Sequence, residues 1–230
     1  SALLNRELDS QVMKLKAYTN SDITSLCAMN VSLSALFHNI SWLINIKDKL
    51  TPISEVFEVI RGDRRGWDTM FYTASGHGIE QCYIRKVLKN SRAVNFLFAE
   101  ADSDAFCCSR SLEELINLNH SGALAWIERF ENGVNQTGKP LPEVLAKRGM
   151  HWYEMKDTNV ASIVTTMNPD RRLFFAKFES PSFINQRLIG LKTTVDNPDI
   201  DLYHALLNSL LGMFYIEAIG FGRGLGALDI

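Results

Sequence analysis

Apolar residues over the first fifty positions recur at helical spacing. Leu4, Leu8, Val12 and Leu15 form one stripe, and Ser21-Asp22 reads as a cap for a second helix through Leu26, Met29 and Leu33. Ser41 to Leu50 predicts a third. At Thr51-Pro52 the pattern changes. A capping hydroxyl followed by proline opens a short turn, and Val56 to Ile60 then reads as a strand. A polar loop, Arg61 to Gly66, precedes a second predicted strand, Trp67 to Thr73.

Mixed structure is expected from Ile79 to Leu88. Two further strands, Ala93 to Ala99 and Ala105 to Ser109, flank a turn at Glu100 to Asp104. Ser111-Leu112-Glu113-Glu114 has capping-box spacing and starts a helix to about Leu118. Another helix runs from Ser121 to Phe130. A polar loop, Gly133 to Pro140, leads to a short helix at Pro142 to Lys147. In the last third, Ser162 to Met167 and Leu173 to Phe178 predict a hairpin across Asn168-Pro169-Asp170-Arg171. Leu188 to Val195 is another strand, Asp199 to Ile219 one long apolar helix, and Gly220 to Gly224 its end. The sum is an α+β fold: a strand-rich body (51–230) with inserted helices, behind a helical lead-in (1–50) that reads as a linker from another domain.

Composition narrows the class. With 230 residues, 46% hydrophobic and 22% charged, the chain is long enough for one large core and shows no disordered tract. No apolar run reaches membrane-spanning length. Ser1 to Arg6 has neither an initiator methionine nor a secretory signal, so a piece of a longer chain is expected. The four cysteines form no CxxC pair, which fits a reducing cytoplasm. Net charge is −2, unevenly spread. Arg61 to Arg92 holds seven basic residues against Asp63, Asp68 and Glu80, whereas Glu100 to Glu131 holds seven acidic residues against Arg110 and Arg129. A basic face on an otherwise acidic chain suits a polyanion approached from one side. The alternative is ordinary scatter over a solvated surface.

Several chemistries lack their residues. HExxH, paired CxxC, Walker A and Gly-x-Ser-x-Gly motifs are missing, and the five histidines are scattered. Gly222-Arg223-Gly224-Leu225-Gly226 follows a helix instead of a strand, unlike a nucleotide loop. Asn168-Pro169-Asp170 lacks the second proline and the aromatic that N6-adenine methyl transfer requires. No catalytic centre, metal site or cofactor site is expected within the chain.

A series of local motifs remains. Ile53-Ser54-Glu55-Val56-Phe57-Glu58-Val59-Ile60-Arg61-Gly62 is followed by Gly66 and Asp68-Thr69-Met70-Phe71, then Ile84 to Asn90. Leu145-Ala146-Lys147-Arg148 with Trp152-Tyr153, Leu206 to Ser209, and Gly222-Arg223-Gly224 complete it. In order and spacing, Thr51 to Ile230 resembles the C-terminal target-recognition (TaqI-like specificity) domain of N6-adenine DNA methyltransferases and single-chain restriction-modification enzymes. Ser111 to Pro140 departs from the pattern as a long insertion. The resemblance implies a module that chooses a double-stranded DNA sequence. A catalytic methyltransferase domain of the same parent chain would bind S-adenosylmethionine and transfer the methyl group, and the resemblance implies a prokaryotic cytoplasm. A protein-interaction or scaffold module is the competing class.

The residues themselves suit DNA. Arg61, Arg64 and Arg65 lie in a glycine-bounded loop, where guanidinium groups grip phosphate or the guanine edge and glycine permits close approach. Trp67 beside them is a candidate for packing on sugar or base, or half-buried core. Arg85, Lys86, Lys89 and Arg92 fit phosphate positioning. Arg171 and Arg172 at the predicted hairpin tip, Asn185, Gln186 and Arg187 before a strand, and Arg223 among glycines are the remaining candidate readers.

Overall fold

The computed structural model describes residues 18–29, 42–168 and 174–216, and the backbone alone of 217–219, 221–224 and 227–229. The predicted stripe Leu4 to Leu15, Leu33, and the hairpin tip with Arg171 and Arg172 lie outside the described residues, as does the Arg223 side chain. The chain divides into two compact units, Ser1–Thr51 and Pro52–Ile230. In the first, α1 (Asn20–Ala28) is capped by Thr19 and not by Ser21. Thr19 accepts from the Asp22 amide at 3.1 Å, and the Asp22 carboxylate accepts from the Thr19 amide at 2.9 Å. The helix α2 (Trp42–Ile46) passes into a 3-10 turn, Lys47–Lys49.

The second unit is α+β, as the pattern predicts. Its strands are β1 (Phe57–Arg61), β2 (Tyr72–Thr73), β3 (Ile84–Leu88), β4 (Ser103–Phe106), β5 (Val160–Thr166), β6 (Ala176–Ile184) and β7 (Leu188–Thr193). They form one seven-stranded sheet in the order β1-β7-β5-β6-β3-β4-β2. Every described pairing is antiparallel except β3 with β6, which is parallel through Val87↔Phe183 and Leu88↔Ile184. β5 is buried from Ala161 to Thr166, the continuous burial of a strand covered on both faces. Ile163 packs with Phe57, Phe175 and Leu191 against Ile200, Tyr203 and Leu207 of α7 (Ile200–Leu207). Ala161 and Val164 join Ile60, Leu88, Val94 and Leu188 in a separate cluster.

The β3-β4-β2 end is covered by α4 (Leu112–Asn117), α5 (Ser121–Glu131) and α6 (Leu141–Leu145), which send Leu115, Trp126, Ile127 and Leu141 into a core with Met70, Phe106 and Phe183. The predicted Ser111/Glu114 capping box opens α4. Glu80 caps α5 from outside, its carboxylate accepting the Gly122 and Ala123 amides at 2.8 Å each. A pair, β8 (Phe221–Gly224) and β9 (Ala227–Asp229), follows α8 (Leu210–Ile219). Among the described residues, no helix is long and apolar enough to cross a membrane.

Several predicted elements differ. The strand expected at Ala105 to Ser109 is shifted to β4, which takes in the end of the turn expected at Glu100 to Asp104, and Gly220 to Gly224, expected only to end a helix, holds β8. The strand Trp67 to Thr73 keeps only β2, because Asp68–Phe71 forms a helical turn, α3. Trp67, Met70 and Phe71 all face one core, which is i, i+3, i+4 spacing and not alternation. Ala93 to Ala99 is no strand. Val94 and Ala99 are buried but Phe96, Leu97 and Phe98 between them are exposed, and only Phe98 bridges to a neighbour, Lys177. The predicted long C-terminal helix breaks at Asn208-Ser209. Asn208 accepts from the Phe175 amide and donates to the carbonyls of Phe175 and His204, and the Ser209 hydroxyl accepts the Gly212 amide to start α8. β6 extends past the predicted Phe178 to Ile184. Lys177 opposes Ile163 and Ser182 opposes Ala161, so the intervening residues bulge; Phe178 stays buried and residues 179–181 are exposed, where Pro181 costs no ladder bond.

Candidate nucleic-acid interface

The loop after β1 is built by backbone hydrogen bonds to the β6–β7 turn. Gly62 N donates to Leu188 O at 3.1 Å, Asp63 N to Ile184 O at 3.0 Å, and Gln186 N to Asp63 O at 3.2 Å. The approach is so close that a Cβ on Gly62 would stand 2.1 Å from the Asn185 carbonyl oxygen. This glycine serves the chain's own packing, not the approach of a ligand. Gly66 does take positive φ, 88°.

That crossing sets out a cleft of about 390 Å³, lined by Arg61, Arg187, Gln186, Ser91, Thr166 and the 167–168 segment, with no carboxylate among the lining residues. Arg61 ends β1 and is exposed, with Nε donating to Gln186 O at 3.0 Å. Arg187 is exposed, and Arg92, also exposed, follows Ser91. None of these three arginines forms an ion pair with a described residue. Thr166 is buried, and its hydroxyl has no hydrogen-bond partner among the described residues.

The other cations lie elsewhere. Arg64 and Lys89 share Asp68, at 3.2 and 3.3 Å, and Lys89 Nζ stands 4.3 Å from the centroid of the Tyr72 ring. Lys86 pairs with Asp104 at 2.8 Å beside a second hollow of about 450 Å³, which carries both signs of charge. Arg85 is held by Asp157 at 2.7 Å and by the Cys82 carbonyl. Such half-exposed pairs add little stability, but each neutralises a cation that the sequence offers as free.

Two expectations are corrected. Arg65 is only 5% exposed and does not sit on an exposed ridge. It donates to the carbonyls of Leu145 and Trp152, and lies 5.8 Å from the Phe71 ring centroid. Burial lowers its pKa, opposed by Asp63 and Glu154. Asn185, expected to read adenine, is also buried. Its amide donates to the Tyr72 hydroxyl at 2.6 Å and its oxygen accepts from the Arg187 amide. Burial raises the Tyr72 hydroxyl to about 12. Trp67 is half-buried against the main core. Sequence reasoning passed over Ser91 and Thr166. Only the fold brings these polar residues beside Arg61 and Arg187.

Among the described residues no cluster of three histidine, cysteine or carboxylate groups is placed to hold a metal ion. No protein-family model matches the chain, and no curated protein matches it.

Proposed function

We propose that Pro52–Ile230 is a double-stranded DNA recognition module, the sequence-choosing part of an adenine-N6 DNA methyltransferase or restriction-modification enzyme. S-adenosylmethionine binding and methyl transfer would belong to a catalytic domain of the same parent chain. The motif order from Ile53 to Gly224 supports the family reading. The observation that carries DNA binding is the cleft itself, where Arg61 and Arg187 stand without carboxylates and Arg92 follows at its edge. Exposed guanidinium groups without internal counter-charges are free to bind phosphate, and polar neighbours such as Gln186 suit base-edge contact.

The test is anisotropy of a labelled duplex across a salt series. Binding weakens steeply with salt, and Arg61→Ala with Arg187→Ala makes the log–log slope shallower by about 1.8, the worth of two phosphates. An unchanged slope in the double variant overturns the reading. A second reading, a protein-interaction module, is favoured by Leu202 and Leu206 of α7, four apart and exposed by 51 and 54%, with Leu210 at the start of α8 exposed by 86%. It takes precedence if the duplex series shows no salt-sensitive binding and Leu206→Asp with Leu210→Asp abolishes self-association of the chain.

A further inference from the structure

We propose that the segment after Ser91 carries an aromatic wedge, Phe96 and Phe98, that inserts against the base stack of DNA held in the arginine cleft. This rests on the reading of that cleft as a DNA site. The segment is anchored at both ends. Val94 is 1% exposed, Ala99 is buried, and Ala99 N donates to Lys177 O while Lys177 N donates to Leu97 O, each at 2.9 Å. Between these anchors Phe96 is 72% exposed and Phe98 65%. Two phenyl rings held outward by a fixed backbone mark a binding surface more than chance exposure does.

The surroundings choose the partner. Arg92 lies four residues before Phe96, and Ser91 lines the cleft with Arg61 and Arg187. Lys177, paired with Asp201, stands 5.5 Å from the Phe98 ring centroid. Protein interfaces exclude charge from their apolar centre. Exposed phenyl rings that follow an arginine outside any ion pair with a described residue instead match side chains that unstack base steps beside phosphate contacts, or stack on bases. From Ser91 to Phe96 the chain spans at most about 18 Å, so the contacted bases fall within roughly five base pairs of the clamped phosphate.

The probe is a duplex bearing 2-aminopurine at dispersed positions, titrated with the whole chain. Fluorescence rises on saturation because a stacked base is released. Phe96→Ala with Phe98→Ala abolishes the rise and weakens binding about 10-fold, while the salt slope is unchanged because no charge is removed. Both residues are exposed, so the variant melts with the parent. In Phe96→Trp, the added indole emission is quenched by duplex. Parental affinity and fluorescence in the double alanine variant, or no quenching in Phe96→Trp, overturn the wedge even where Arg61→Ala with Arg187→Ala still flattens the slope. Absence of salt-sensitive binding by the parent chain overturns the cleft reading, and the wedge with it. A double alanine variant that changes only self-association assigns the rings to a protein surface and likewise overturns the wedge.

Discussion

Replacing Gly62 by alanine puts a methyl group where the backbone leaves no room. The new Cβ would stand 2.1 Å from Asn185 O and 2.4 Å from Ile184 O. Both are main-chain atoms, so no rotamer relieves the clash. The loop must lift off the β6–β7 turn, giving up the hydrogen bonds Gly62–Leu188, Asp63–Ile184 and Gln186–Asp63. At roughly 1 kcal/mol net for each bond, the loss is about 3 kcal/mol, at the upper end of the usual overpacking range. For a unit of this size that corresponds to a fall in Tm of about 6–12 °C. Urea unfolding followed by tryptophan fluorescence measures it, and duplex affinity should fall in parallel because Arg61 and Gln186 move apart. Stability within about 0.5 kcal/mol of the parent, a typical neutral surface effect, would show that the crossing is not rigid and would refute the reasoning.

Other outcomes follow from the same contacts. Arg65→Met lowers stability by about 1–3 kcal/mol, since the buried Leu145 carbonyl and the partly buried Trp152 carbonyl lose a charged donor, yet leaves the salt slope of duplex binding unchanged; a shallower slope would return Arg65 to the binding surface. Asn208→Ala removes three hydrogen bonds to Phe175 and His204 and costs about 2–3 kcal/mol in denaturant unfolding, with a neutral result refuting the pinned helix break. Tyr72, moved by burial from the usual 10.0 to about 12, holds its proton more tightly when folded. Its contribution is therefore full below pH 10 and is lost as pH climbs towards 12. In Tyr72→Phe the alkaline decline in Tm is less steep, and an unaltered decline would assign it to other groups, among them Tyr153.

What the sequence reveals here is what neighbours dictate. The Ser111/Glu114 box, the β-branched and aromatic residues from Val56 to Ile60 and the apolar run through Ile163 act over a few residues, and each element appears near its expected place. Strand order has no such local cause. β1 pairs with β7, and β3 lies parallel to β6, across separations that only the finished core rewards. The basic run from Arg61 to Arg92 misleads for the same reason. The partner of Arg85 is Asp157, 72 residues on, and the acceptors of Arg65 are carbonyls 80 and 87 residues on. A tally of charges along the chain counts cations but not the anions that meet them in space. Phe96 and Phe98 read as interior strand residues because their hydrophobicity is visible in sequence and their exposure is not.

Three main-chain hydrogen bonds close the crossing between β1 and the β6–β7 turn, and Arg61 Nε adds a fourth to the Gln186 carbonyl. The side chains at positions 61, 186 and 187 therefore project from a frame closed mainly by the backbone, to which only Arg61 among them adds a bond. Foldability and selectivity are thereby uncoupled. Substitutions at those three sites, with Gly62 kept, can be screened as a library for altered targets, and most members should retain the parental fold while differing in what they retain on immobilised duplexes.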